Sequence, residues 1–242
     1  MKTRELVVGL ALGLCACVSA FSQGSVVIND PTVKDPNENT EDKYKLSAAE
    51  QSVMDKYVLP KARVRFKDCR DEEAIVIAGR HTGSFTKEGA EQTVIFYQYC
   101  QTGNGLGRAG LVLLENGKLI ANFIAEEAGW ADDSAVLPDI DQNGVDEIQL
   151  YYSGGMHQGA GGTGADIFEY SAGRLKGIGW YQADGFEEVG PQWAWKVTVN
   201  PGTTPVFFKQ KYLGNASGKW RKTGRVLALK LGKAFADFEV VK

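Results

Sequence analysis

The sequence predicts an all-β chain with one short helix near its start, and three observations carry that reading. From Arg63 onward, short β-branched and aromatic runs are broken at close intervals by Gly, Asn and Asp, the punctuation of strands and turns. One strand–loop–strand layout recurs three times, its loop glycines Gly89, Gly144 and Gly202 standing 55 and 58 residues apart. The helical signature is the capping box Ser47-Ala48-Ala49-Glu50, followed by apolar Val53, Met54 and Tyr57 and stopped near Val58 by Pro60.

The elements follow in order. Lys2 and Arg4 precede an almost wholly apolar run from Leu6 to Val18, and Val18-Ser19-Ala20 supplies small residues for cleavage. This is the pattern of a secretory signal over residues 1–20, too short to span a bilayer comfortably. Leu14-Cys15-Ala16-Cys17 also resembles a bacterial lipobox, with Cys15 where a small or β-branched residue is usual. The alternative to a secreted or periplasmic protein is therefore an envelope protein anchored by lipid at Cys17. Residues 21–46 are polar and turn-rich, with Asn29-Asp30-Pro31 and Asp35-Pro36-Asn37, and read as a flexible leader. Residues 47–242 suit a single domain.

Within it the three units cover about 74–124, 134–181 and 194–231. The first pairs Ala74–Ile77 with Thr93–Tyr97 and adds a hairpin turning at Asn116-Gly117. The second pairs Ser134–Leu137 with Ile148–Tyr152 and adds a hairpin turning at Ala172-Gly173. The third pairs Trp195–Val199 with Val206–Phe208 and adds a hairpin from Gly218–Thr223 and Val226–Leu231. Four strands per unit is the composition of a propeller blade. The alternative is a β-sandwich with evenly spaced turns. Three blades are fewer than the usual minimum of about four.

The net charge is −3, and loss of residues 1–20 removes Lys2, Arg4 and Glu5 to leave −4. A weakly acidic chain has no electrostatic reason to bind nucleic acid or an anionic membrane. Lys219, Arg221, Lys222 and Arg225 are interrupted by Trp220 and Thr223 and read as a solvated strand face. Two cysteines remain after the signal, Cys69 and Cys100, and an even pair in an oxidising compartment predicts a disulfide. No C-x-x-C and no nearby base favours a redox or nucleophilic cysteine.

The sharpest motif is Asp139-Ile140-Asp141-Gln142-Asn143-Gly144-Val145-Asp146-Glu147. Alternation puts Asp139, Asp141 and Asn143 on one side of a tight loop, Gly144 permits the turn, the Val145 carbonyl adds a backbone oxygen, and Glu147 closes the shell. Asp146 points away. Hard oxygen donors in this number predict structural calcium. Leu150 occupies the twelfth position and the flanks are strand-like, so the loop is not an EF-hand. It resembles the calcium hairpins of FG-GAP or VCBS repeats, the blades of integrin-alpha-type propellers, at Asp139, Asp141, Asn143, Gly144, Glu147 and Ile148. That resemblance covers about ten residues and implies structural calcium in a blade-like hairpin. The equivalent first loop, Gly83–Gln92, replaces the donors with Ser84, Thr86, Glu88 and Gln92 and adds Lys87, which predicts a turn without metal. The third, Asn200–Pro205, has lost the donors more completely.

Ser153–Gly164 is a glycine-rich loop that fits neither phosphate-binding pattern, and its His157 is a candidate for a ligand-binding loop. Trp130, Trp180, Trp193, Trp195 and Trp220 read as core. Asn215-Ala216-Ser217 fits a glycosylation sequon. No nucleophile, base and orienting group occur together in a recognisable motif, so the expected function is an exported, non-catalytic, calcium-stabilised module that binds a protein or envelope component, with self-association left open. The alternative is a calcium-dependent extracellular hydrolase using His157 and a nearby carboxylate, Asp166 or Glu169.

Overall fold

The computed structural model describes residues 24–33, 43–67, 69, 75–103, 106–157, 160–215 and 217–241, without the side chains of 103 and 155–157. Residues 1–23, where the sequence predicts a signal and where Cys17 lies, and residues 34–42 lie outside the described residues. No described helix is long and apolar enough to cross a membrane.

The capping box forms as the sequence predicts. The Ser47 hydroxyl accepts from the Glu50 amide while the Glu50 carboxylate accepts from the Ser47 amide, opening α1 (Ala48–Val53). Glu50 also holds Arg80 at 2.7–3.0 Å, which ties the helix to the first sheet. The helix does not stop at Val58. One wide turn, Met54–Val58, carries it into α2 (Leu59–Arg65). Pro60 falls in the first turn of α2, where its missing N–H leaves nothing unpaired.

Beyond the helix the chain is all-β, in three antiparallel sheets, and no sheet among the described residues closes on itself. The first contains β2 (Val76–Gly83), β3 (Gln92–Gly103), β4 (Leu106–Glu115) and β5 (Lys118–Ala128) in chain order. Asn116 and Gly117 turn β4 into β5 with φ of 50° and 70°, the left-handed pair that a two-residue hairpin demands. The second sheet contains β6 (Trp130–Leu137), β7 (Glu147–His157), β8 (Ala160–Ser171) and β9 (Arg174–Gln182), with Ala172 and Gly173 making the same turn at φ 50° and 79°. The third contains β10 (Asp184–Gly185), β11 (Trp193–Asn200), β12 (Val206–Gly214) and β13 (Trp220–Leu229).

Two expectations are corrected in the third unit. Its final hairpin is one continuous strand, β13, because Thr223-Gly224-Arg225 forms a bulge instead of a turn. The register jumps between Lys209 and Lys211, Gly224 sits at φ 65°, and the Gln210 side-chain amide donates to the carbonyls of Thr223 and Gly224 where ladder bonds are missing. The fifth strand comes from the segment read as a flexible leader. Val26–Asn29 forms β1 and pairs with β11, Val26 opposite Val199.

The glycine-rich stretch is also strand rather than loop, since β7 and β8 run through it and only 158–159 separate them. Its glycines allow close approach: a Cβ on Gly162 would come within 2.5 Å of the Asp184 carbonyl, and one on Gly164 within 2.5 Å of the Trp180 ring. None of the five tryptophans is fully buried. Trp193 and Trp195 contact edge to face at 6.1 Å, and the ammonium groups of Lys211 and Lys209 lie over their rings at 5.6 and 4.3 Å. Their rings thus carry both apolar packing and cation–π contacts.

The layers stack in series. The helical segment covers one face of the first sheet through Val53, Met54 and Val58 against Ile95, Tyr97, Val112 and Leu114. The other face, with Phe96, Leu111 and Phe123, meets Ile148, Leu150 and Phe168 of the second sheet. The second sheet's far face, with Ala165, Ile167 and Tyr181, packs on Ile28, Val197, Val199 and Phe207 of the third. The chain then returns as a strap. Gly232 pairs with Trp180, Phe238 packs edge to face on Phe168 at 5.4 Å, and β14 (Glu239–Val240) joins the outer edge of β5. The Cys69–Cys100 disulfide pins the segment after α2 to β3, with its Cα atoms 5.9 Å apart.

Candidate metal site

The loop that joins β6 to β7 brings three of the five expected donors together. One carboxylate oxygen from each of Asp139, Asp141 and Glu147 lies within 4.8 Å of the others. The backbone imposes this arrangement. Asp139 accepts the amides of Asn143 and Gly144, both at 2.9 Å, and Asp141 accepts the Asn143 amide at 3.1 Å. The turn passes through Gln142 at φ 61° and Gly144 at φ 92°, so Gln142 carries left-handed strain of the kind found at functional loops. Asn143 directs its Nδ2 at Asp141, 3.1 Å away, and its Oδ1 accepts the Val145 amide at 2.9 Å.

Glu147 decides the electrostatics. It is 0 % exposed, one oxygen accepts the Ile140 amide at 2.9 Å, and the other, Oε1, has no partner. Burial pushes this carboxyl up to about 8, and the charges of Asp141 and Asp139 add to the rise. Asp141 is also raised, first by burial and then by contact with Glu169. Two like charges at this spacing repel by roughly 3–4 kcal/mol at an effective dielectric of about 20. A cation reverses that sign, and hard carboxylate oxygens suit calcium.

The equivalent loop of the first unit supplies an internal control. Gln92 stands where Glu147 stands, and its Oε1 accepts the Phe85 amide at 3.0 Å as Glu147 accepts that of Ile140. The Gln92 Nε2 then donates to Thr86 Oγ1 at 2.7 Å and to Glu115 at 3.2 Å. In that loop a neutral amide satisfies the acceptors internally; in the second loop a carboxylate takes its place and one oxygen is left over.

The two loops touch. The Ser84 amide donates to Asp146 Oδ2 at 2.7 Å, and the Asp146 amide donates to the Ser84 carbonyl at 2.9 Å. Asp146 therefore points away from the donor cluster, into the neighbouring unit. The third loop also contacts the 139–147 loop, through the Gly202 amide on the Ile140 carbonyl at 2.9 Å.

Of the other candidates, His157 and Asp166 are not brought into this site. His157 pairs with Ala160 at the far end of the β7–β8 hairpin, and its side chain lies outside the described residues. Asp166 and Glu169 are six and nine residues further along β8 than Ala160, roughly 20 and 30 Å at about 3.3 Å per residue. The strand register thus separates His157 from both carboxylates offered to the hydrolase alternative. Asp166 is engaged elsewhere, its two oxygens accepting the Phe235 and Ala236 amides at 2.7 and 2.8 Å. A cleft of about 810 Å³ opens between the second and third sheets, lined by Asp30, Asp133, Asp184, Tyr151 and Trp220 among others. The loop motif did not point to Glu169, which reaches the 139–147 loop from β8; a contact across strands leaves no trace in local spacing.

No protein-family model, curated protein or solved structure matches the chain.

Proposed function

We propose that the chain acts outside the cytoplasm as a calcium-stabilised, blade-like binding module and not as an enzyme. The observation that carries the proposal is the unpartnered oxygen of fully buried Glu147 among Asp139 and Asp141, set against the self-satisfied Gln92 of the sister loop. The resemblance of residues 139–148 to FG-GAP or VCBS calcium hairpins supports the same reading, as does the stacking of three antiparallel sheets. The Cys69–Cys100 disulfide fits an oxidising compartment. The cleft beside β1 offers a concave surface for a protein or envelope partner.

Thermal unfolding with excess calcium and with chelator tests the metal. Calcium that binds the folded chain alone should stabilise it by about 2.7 kcal/mol at a hundredfold excess over Kd. The Asp141→Ala variant should lose that gain. An equal melting temperature with and without calcium in the unaltered chain would remove the metal from the proposal.

A further inference from the structure

We propose that Glu169 is a ligand of the cation taken by the 139–147 loop, so that the site is shared between the loop and strand β8. The inference rests on the calcium reading and extends it to a residue that the loop motif does not contain.

Glu169 is 5 % exposed and sits on β8, the strand beside β7. Its Oε2 accepts from Asn143 Nδ2 at 3.2 Å, and the same Nδ2 donates to Asp141 at 3.1 Å. One amide group therefore bridges a loop carboxylate and a strand carboxylate. An amide carries little positive charge for two anions to share. The unpartnered Oε1 of Glu147 belongs to the same cluster, its carboxylate within 4.8 Å of those of Asp139 and Asp141. The cation at Glu169 is Lys176, whose Nζ lies 3.0 Å from Oε1 and whose side chain is 69 % exposed. Such an ammonium moves into water at little cost. A divalent ion bound by Asp139, Asp141 and Glu147 gains a fourth carboxylate by taking Glu169 from Lys176. Calcium sites tune their affinity by the charge count of their ligands, so this exchange sets how tightly the loop holds its ion. Lys176 is then a competitor built into the neighbouring strand β9.

Calcium titration by calorimetry on the oxidised chain separates the cases, using the unaltered protein, Glu169→Gln, Lys176→Met and the double variant. If Glu169 ligates, Glu169→Gln weakens calcium binding by about tenfold or more. Lys176→Met tightens it, and that gain disappears in the Glu169→Gln background, because a competitor acts only through the group it competes for. Glu169→Gln binding calcium within about threefold of the unaltered chain overturns the inference and leaves the loop site standing. A Lys176→Met gain that persists undiminished in the double variant also overturns it, since no carboxylate then remains at position 169 to compete for. Lys176 is a surface residue, so the single Lys176→Met variant keeps the test decisive if Glu169→Gln folds poorly: unchanged affinity there overturns the exchange. Absence of binding to the unaltered chain defeats the calcium reading itself and is distinguishable from these outcomes.

Discussion

Alanine in place of Asp166 should destabilise the fold by about 3–5 kcal/mol at pH 5, since each buried amide left without its acceptor costs roughly 1–3 kcal/mol. Asp166 is 0 % exposed, and its two oxygens take the amides of Phe235 and Ala236. Those amides belong to the strap that crosses the second sheet, and no strand ladder serves them there. The loss should appear in the denaturant midpoint and in faster hydrogen exchange along 232–241. A change below about 1 kcal/mol would mean that water replaces the carboxylate, in which case the strap is not anchored at this point.

The same residue gives a pH signature. Burial pushes the Asp166 carboxyl up to about 6, against the pull of its two amide donors. A carboxyl raised in the folded state binds its proton more tightly there than when unfolded. Its ionisation therefore lowers stability as pH climbs from about 4 towards 6, and the penalty is absent below that window. The gap between the unaltered chain and Asp166→Ala should narrow by roughly 1–2 kcal/mol between pH 5 and pH 7. A gap that widens over that range would show that the two amides outweigh burial.

Replacing Cys69 and Cys100 together by serine should cost about 3–4 kcal/mol, the loop-closure value for a bridge spanning 31 residues. Cys100 is buried on β3, while Cys69 packs beside Phe66, Ile124 and Tyr99 where α2 ends. The bridge therefore joins the helical layer to the first sheet at the end farthest from the Ser47 cap. Reductant added to the unaltered chain should lower its denaturation midpoint as far as the double substitution does. A midpoint unchanged by either treatment would mean that packing alone holds this corner.

The sequence was readable wherever a feature is local. The Ser47 and Glu50 box, the Asn116-Gly117 turn, the spacing of Asp139, Asp141 and Glu147 and the cysteine pair each declare themselves within a few residues or by simple counting. The failures have one physical cause. Val26-Val27-Ile28 is a strand because β11, far along the chain, offers it an edge, and the polar residues around it concealed that offer. Gly224 looked like a hairpin turn because a bulge and a turn both call for positive φ. Asp166 and Glu169 are members of one strand whose roles depend on what crosses beside them. The clustering of Asp139, Asp141 and Glu147 was legible in their spacing; the contact of Glu169 with Asn143 beside them was not.

The first and last described strands exchange places. β1 completes the third sheet, Val26 facing Val199, and β14 extends the first, Glu239 facing Ile124. Such pairings join residues far apart in sequence, and closing them is slow and comes late. A chain emerging end first cannot seat β1 until the third sheet exists. Its opening segment must wait, unpaired, while nearly everything else is made. Cutting after Asn29 should therefore open the sheet formed last, and cutting before Glu239 the sheet formed first. Each end of the molecule is guarded by residues from the other.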